Sequence, residues 1–422
     1  MNKKENTTLV PRLRFPEFRS TGEWKISTLS NLVSKITVRN QDKVINRVLT
    51  NSAVEGVIDQ SDYFDREVAN QNNLEKYFVI DEGDYVYNPR ISVTAPVGPI
   101  SKNKVGRGVM SPLYTVFRFE NPNNDFYEQY FKTNLWHSYL KSVSNTGARH
   151  DRMSISNGDF MKMPLPYHSE AEQQKIANCL SSLDDLIAVE DEKLTTLKAY
   201  KKGLMQKMFP AEDKTVPEWR FSDFKDSGEW VKKTLGQLGE LVSGLTYSPD
   251  DIRDNGLLVL RSSNIKNNVI TLDDNVYVRT DISGANLSFE NDILICVRNG
   301  SKALIGKNAI IPKDMPLCTH GAFMTVFRTK YSKFVFQLLQ SRAYDKQVKA
   351  DLGATINSIN GTQLKKYVFY IPLDIKEQEK IANCLSALDT LITTQAEKIE
   401  SLKVHKKGLM QGLFPSIEEV GE

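Results

Sequence analysis

The sequence predicts a mixed α+β fold. Two similar strand-rich units, related by a pseudo-twofold, are separated by two long helices that form an antiparallel coiled coil. Three observations carry this expectation. The stretch from Glu170 to Pro210 spaces its apolar residues by fours and threes, a second stretch repeats it at an offset of 205 residues, and the segments before each are rich in strand-like runs and turn signals.

The first helix is legible from its seam: Ile176, Leu180, Leu183, Ile187, Leu194, Leu197, Leu204 and Met208, with Glu190 and Lys201 in the two remaining seats. Such spacing marks a narrow, coiled-coil type of stripe. Neither proline nor glycine interrupts it before Gly203. A helix of about 38 residues is roughly 57 Å long and needs a partner of equal length. That partner follows. Glu377 to Ser386 repeats Glu172 to Ser181 almost residue for residue, and Lys406 to Gln411 repeats Lys201 to Gln206. The second seam runs Ile381, Leu385, Leu388, Ile392, Gln395, Ile399, Leu402, Lys406, Leu409 and Leu413. Phe209-Pro210 and Phe414-Pro415 stop the two helices. The polar seats Glu190 and Gln395 fall near the middle, where such residues fix register at a cost in stability.

Each unit opens alike, with Arg14-Phe15 to Phe18 and Gly22-Glu23-Trp24 in the first, and Arg220-Phe221 to Phe224 and Gly228-Glu229-Trp230 in the second. The aromatic residues read as packing anchors; stacking of Trp24 or Trp230 on a nucleic-acid base is the alternative. Strands are expected at Val44 to Leu49, Tyr85 to Tyr87, Leu113 to Phe119, Leu257 to Leu260, Ile293 to Val297 and Met324 to Phe327. Thr115 to Arg118 matches Thr325 to Arg328, and Gly147-Ala148 matches Gly353-Ala354, whereas Arg149 to Arg152 stands where the second copy has Thr355 to Ser358. A fixed frame with different loops suits two readers of different targets; drift after duplication would leave the same trace. The expected division is a disordered lead (1–11), first unit (12–168), central helix (169–210), linker (211–216), second unit (217–373), C-terminal helix (374–415) and tail (416–422).

Composition sets limits. Of 422 residues, 40% are hydrophobic and 25% charged, which is ordinary for a globular protein. No apolar run approaches the ~20 residues of a membrane span, and the polar N-terminus does not read as a secretion signal. Cys179, Cys296, Cys318 and Cys384 form no Cys-x-x-Cys pair, so a reducing, cytoplasmic setting without structural zinc is expected. A net charge of +3 neither requires nor excludes nucleic acid.

Catalytic motifs are not legible. Gly300 to Lys307 has five residues between its glycines where a phosphate loop has four, and Asn308 takes the place of Ser or Thr. Asn88-Pro89-Arg90 lacks the second proline and the aromatic residue of an adenine-methyltransferase motif. Pro249-Asp250 has no downstream Glu-x-Lys, and the five histidines show no metal spacing. Basic and amide residues do gather near expected strand ends. These are Asn88, Arg90, Arg107, Arg149, His150 and Arg152 in the first unit, and Arg261, Asn264, Arg298, Asn299, Lys302, Lys307 and His320 in the second. Arginine suits guanine edges, asparagine suits adenine edges and lysine suits phosphates. Between Lys330 and Tyr370, seven Lys and Arg residues face two Asp, as a phosphate-facing surface or a solvated helix face would.

The doubled helix motif and the two divergent units together resemble the specificity subunit of a type I restriction-modification enzyme, over about residues 12–415. The resemblance implies two target recognition domains, each reading one part of a bipartite asymmetric site in double-stranded DNA. It also implies helices that serve as spacer and as docking surface for two methylation (modification) subunits and, through them, restriction subunits. S-adenosylmethionine, ATP and magnesium would then lie on the partner subunits, with no cofactor and no catalysis on this chain. A protein-binding scaffold with twin heads, and an enzyme hidden in the divergent units, are the rival readings.

Overall fold

The computed structural model of the chain describes residues 9–63, 71–144, 151–352 and 357–417. The chain divides into two compact units. One combines the residues up to 190 with those from 398 onward; the other is residues 191–397.

In the first unit a four-stranded antiparallel sheet has the order Val33–Lys35, Thr115–Phe119, Tyr85–Tyr87, Ile100–Lys102. A second sheet has the order Gly56–Asp59, Val48–Ser52, Gly108–Met110, Phe78–Ile80, with one parallel pairing, Val48–Ser52 against Gly108–Met110. Lys25–Thr28 pairs with Pro164–Tyr167 in a separate ribbon beside the helix entry. The second unit repeats this plan. Glu240–Ser243, Met324–Arg328, Ile293–Cys296 and Asn308–Ile310 form its antiparallel sheet. Leu257–Leu260 runs parallel to Cys318–His320 in its other sheet, and Val231–Thr234 pairs with Val368–Ile371. The central strands Tyr85–Tyr87 and Ile293–Cys296 are buried at every position. That is why they read as continuous apolar runs with no polar alternation. The run Val44 to Leu49 is a partial match: the strand is Val48–Ser52, and Val44 is exposed.

Two 39-residue helices, Glu170–Met208 and Ile375–Leu413, stand where the seams placed them. Every expected seam residue in both is buried or half-buried. In the first unit Lys406 meets Asp184 and Lys398 meets Glu190; in the second Lys201 meets Asp389. Rising numbers on one helix meet falling numbers on the other, so the helices run antiparallel. Ile176, Ala177 and Leu180 thus share a core with Leu413 and Phe414, and Ile381, Ala382 and Leu385 share one with Met205, Met208 and Phe209.

The repeated openings anchor the helix starts. Arg14 clamps Glu172 with Nε–Oε1 and Nη2–Oε2 both at 2.7 Å, and Arg220 clamps Glu377 in the same bidentate way. The glutamates sit in or next to the first turn, where the helix dipole favours negative charge. Trp24 and Trp230 are almost wholly buried. Trp24 lies 5.5 Å from both Phe126 and His168, and Trp230 packs edge-on to Phe209. The packing reading therefore holds and the base-stacking one does not. Leu9, assigned by sequence to a disordered lead, is buried, and its carbonyl accepts from Trp24 N. Thr215 does the same for Trp230.

Within each unit a further ion pair ties the sheet together. Arg118 pairs with Asp84 at 2.6 Å and Arg328 with Asp292 at 2.8 Å, both aspartates buried. The repeated Thr-Val-Phe-Arg segment thus ends in a structural arginine.

Candidate nucleic-acid interface

Each central strand runs out into an exposed arginine. Tyr85–Tyr87 continues through Asn88-Pro89 to Arg90, and Ile293–Cys296 continues through Val297 to Arg298. In both units this extension is bridged to a segment about sixty residues further on in the chain. Arg90 bridges Arg152, with Ile91 N on Asp151 O at 3.0 Å and Met153 N on Pro89 O at 2.8 Å. Arg298 bridges Ser358, with Ile359 N on Val297 O at 2.8 Å. A short capped helix follows each bridge, Asn157–Met161 behind Ser156 and Gly361–Lys365 behind Asn360. Two distant loops thereby make one edge, built the same way twice.

Side chains on the two edges differ. In the first unit Arg90 is exposed, Arg152 is half-buried with Nε 3.9 Å from Asp151, and Val93 stands fully exposed in the loop after Arg90. Gly98 supports that strand end; its φ is +81°, and a Cβ there would come within 2.0 Å of Asn88 O. In the second unit the Arg298 guanidinium lies over the exposed Phe323 ring at 5.8 Å. Asn299 Nδ2 donates to Ser262 Oγ at 2.9 Å, which brings the Arg261 loop alongside. Arg261 is held by Asp274 at 2.9 Å. Lys302 is exposed on the neighbouring short turn Lys302–Leu304.

Other residues named from the sequence face inward, which corrects their expected role. Asn88 is buried, gives its amide N–H to Asn51 O and accepts from Arg90 N. Asn264 is wholly buried and closes its own loop onto Thr271 O and Asp274 O. Lys307 is half-buried and donates to Ile265 O at 2.8 Å. His320 is buried between Val242 O and Ser288 Oγ, each 2.9 Å away. A carbonyl only accepts, so Nε2 carries the proton and Nδ1 accepts from the serine. Burial pushes this imidazole below its ordinary pKa and keeps it neutral. These side chains hold the frame. Arg107 stands apart, exposed on the loop between the strands Ile100–Lys102 and Gly108–Met110, 3.6 Å from Asp81. Arg149 and His150, and Thr355 and Ile356 of the second copy, lie outside the described residues. The basic residues from Lys330 to Lys366 are all exposed, with Lys346 paired to Glu212.

Residues 227–404 match the family model described as the type I restriction modification DNA specificity domain. The chain is similar to type I specificity subunits over nearly its whole length. Over 98% of its length it is 24% identical to the type I restriction enzyme MjaVIII specificity subunit of Methanocaldococcus jannaschii, of which it covers 96%. It is 27% identical to the EcoKI specificity subunit of Escherichia coli K12 over 44% of this chain and 41% of that one. The crystal structure of the type I restriction-modification S subunit from M. genitalium superposes with a TM-score of 0.60 at 14% identity, covering 97% of this chain and 100% of that one. At such identity the likeness speaks for the specificity-subunit fold alone.

On this specificity-subunit frame, sequence reasoning passed over Ser262, Phe323 and Leu113. Leu113 and Phe323 occupy the same turn in the two units, before the strands Thr115–Phe119 and Met324–Arg328. Leu113 was read as part of a strand. Its position two residues before the matched Thr-Val-Phe-Arg segment was the available signal.

Proposed function

We propose that this chain is the non-catalytic, sequence-specific DNA-binding subunit of a type I restriction-modification system. Each unit reads one half of a bipartite asymmetric site in double-stranded DNA. The paired helices dock two methylation subunits, which in turn bring restriction subunits. S-adenosylmethionine, ATP and magnesium are handled by those partners. The observation that carries this reading is the edge built twice from the same backbone, Arg90–Arg152 and Arg298–Ser358, with different side chains on it. One frame presenting two different chemistries is what reading two different half-sites requires.

The coil also sets the half-site spacing. Its seam from Ile176 to Met208 is roughly 50 Å long, which corresponds to a site of about 12–16 base pairs at ~3.4 Å each. Inserting four residues after Thr195 and four after Glu400 would lengthen it by about 6 Å while a heptad seam absorbs the change. The spacer should then grow by one or two base pairs with unchanged half-sites.

The test is methylome sequencing of a host carrying this chain with its methylation partner, repeated after residues 12–168 are exchanged for another family member's first unit. One half of the methylated sequence should change. A change in both halves, or methyl transfer by the isolated chain that its own mutations abolish, would overturn the proposal.

A further inference from the structure

The two reading edges share a feature that charge-based reasoning does not find. In the first unit Ser111-Pro112-Leu113-Tyr114 forms a turn closed by Tyr114 N on Ser111 O at 3.0 Å. In the second, Gly321-Ala322-Phe323-Met324 forms the equivalent turn, closed by Met324 N on Gly321 O at 2.8 Å. The third residue of each turn is large and apolar, yet Leu113 is 59% and Phe323 55% exposed.

These turns are rigidly held. Phe323 O accepts from both Val297 N and Arg298 N, at 3.0 and 3.1 Å, and Ala322 N donates to Leu245 O at 2.9 Å. A Cβ at Gly244 would lie 2.1 Å from Gly321 O, so the backbones touch at a position only glycine allows. Pro112 fixes the first unit's turn by its own ring. The strand pairing of Tyr87 with Thr115 places Leu113 opposite Pro89, next to Arg90, as Cys296 with Met324 places Phe323 opposite Val297, next to Arg298. An exposed apolar tip beside an exposed arginine therefore occurs at the same place in both units.

Burial of that tip is expected on the partner the arginine meets. A protein partner common to both units would favour surfaces that repeat, and the helix motifs do repeat. These tips do not: the turn is kept while leucine exchanges for phenylalanine and the flanks diverge. Among the edges of base pairs in the major groove, the one apolar group is the 5-methyl of thymine.

We propose that Leu113 and Phe323 are specificity-determining contacts, each packing on the 5-methyl group of a thymine in the half-site that its unit reads. This rests on the DNA-reading function proposed above. A phenyl ring backed by Arg298 would cover the methyl while the arginine reaches an adjacent base edge or phosphate. The shorter Leu113 would do the same in the first half-site from beside Arg90.

The test uses the full chain assembled with its methylation subunits, and duplexes of the site established by methylome sequencing. Each thymine is replaced in turn by deoxyuridine, which removes only the methyl. One substitution in the second unit's half-site should weaken binding about fourfold. Phe323→Ala should weaken binding to the unmodified duplex by a similar factor and be insensitive to that one substitution. Leu113→Ala should behave likewise in the other half-site only. Far-ultraviolet circular dichroism and unchanged binding to non-cognate DNA show that the variants remain folded, and Phe323→Leu should retain part of the methyl effect. Sequence-specific binding that is indifferent to every deoxyuridine, or equally sensitive in parent and variant, overturns this inference and leaves the DNA-reading function standing. Absence of any sequence-specific binding by the parent assembly overturns the function itself, and this inference with it.

Discussion

Lys406 Nζ lies 2.5 Å from Asp184 Oδ1, and Gln129 Nε2 reaches the other oxygen of the same carboxylate at 3.0 Å. The second unit repeats the arrangement, with Lys201 and Gln337 on Asp389 at 2.5 and 2.7 Å. Gln129 and Gln337 stand on the short helices Asp125–Phe131 and Ser332–Leu338, so one aspartate ties each head to both helices of the coil. Both lysines are buried in the seam. Asp184→Ala would leave Lys406 buried without its counter-charge. Because Asp184 itself is partly exposed, a loss of about 1–2 kcal/mol is expected. Lys406→Met, which fills the seat with an apolar chain, should be neutral or stabilising. Urea denaturation of the three proteins decides; an Asp184→Ala chain as stable as its parent would remove the pair from the account.

The same carboxylate predicts an acid limb. Burial works to raise the Asp184 pKa, but hydrogen bonds from Lys406 and Gln129 and the nearby charge of Lys132 outweigh it and leave the group below its ordinary value. A carboxylate with a depressed folded pKa contributes stability that is present above its unfolded value, about 3.9, and is lost as pH falls through the folded one. The parent should thus lose stability below about pH 4 more steeply than Asp184→Asn. Parallel acid titrations of the thermal midpoint would show it.

Arg14 and Arg220 are nearly buried and each is bidentate to a buried glutamate. Removing Arg220 strands the Glu377 carboxylate in the core, so Arg220→Ala should cost about 3–5 kcal/mol. Arg14→Ala should cost less, because His168 Nδ1 stays 2.8 Å from Glu172 Oε2. Lysine should rescue poorly, because one ammonium cannot reproduce the two parallel N–H donors. Chemical denaturation of Arg220→Lys beside Arg220→Ala measures the rescue; full recovery would refute the geometric argument.

Burial pushes the thiols of Cys296 and Cys318 up to about 11. Neither should be alkylated by iodoacetamide at pH 8 in the folded protein, since the thiolate is the nucleophile. The unfolded thiols ionise near ~8.5, so the folded state holds protons that the unfolded chain has released between ~8.5 and about 11. Stability should therefore fall as pH rises through that window. Peptide mapping of alkylated sites and alkaline denaturation test the two statements; rapid labelling of either cysteine in the folded chain would contradict both.

Arg298 gives a prediction on recognition. In the assembled complex Arg298→Ala should cost about 1–3 kcal/mol and relax preference at one base position of the second half-site. A loss uniform across sequences, with a shallower salt dependence, would make it a phosphate contact instead. Competition binding with single-base variants of the site separates the two.

The fold was legible where one physical demand dominates. A 39-residue helix cannot hide its seam, so Ile176 to Met208 and Ile381 to Leu413 announce both helices and the duplication. Strand cores such as Tyr85-Val-Tyr87 announce themselves by unbroken burial. The proposed reading edge was legible only in part. Arg90, Arg152, Arg298 and Asn299 were placed near strand ends and do come together there. Asn88, Asn264 and His320 have the chemistry of base readers, but their hydrogen bonds close loops and strand ends, and residue type does not reveal which partner a side chain will find. Leu113 and Phe323 were missed because an apolar residue beside a strand reads as core until the turn that expels it is seen.

The way the helices are shared also bears on how the chain is made. Residues 191–397 form one unit unbroken in chain order, whereas the other joins residues up to 190 with those from 398 onward. Ile176, Ala177 and Leu180 find Leu413 and Phe414 in their core only after the whole of the second unit has been synthesised. The head translated first is therefore completed last, the reverse of the usual N-terminal-first order. Throughout that interval its half of the seam remains uncovered on the nascent chain, a site for chaperone binding and for mispairing with a neighbouring copy on the same messenger RNA.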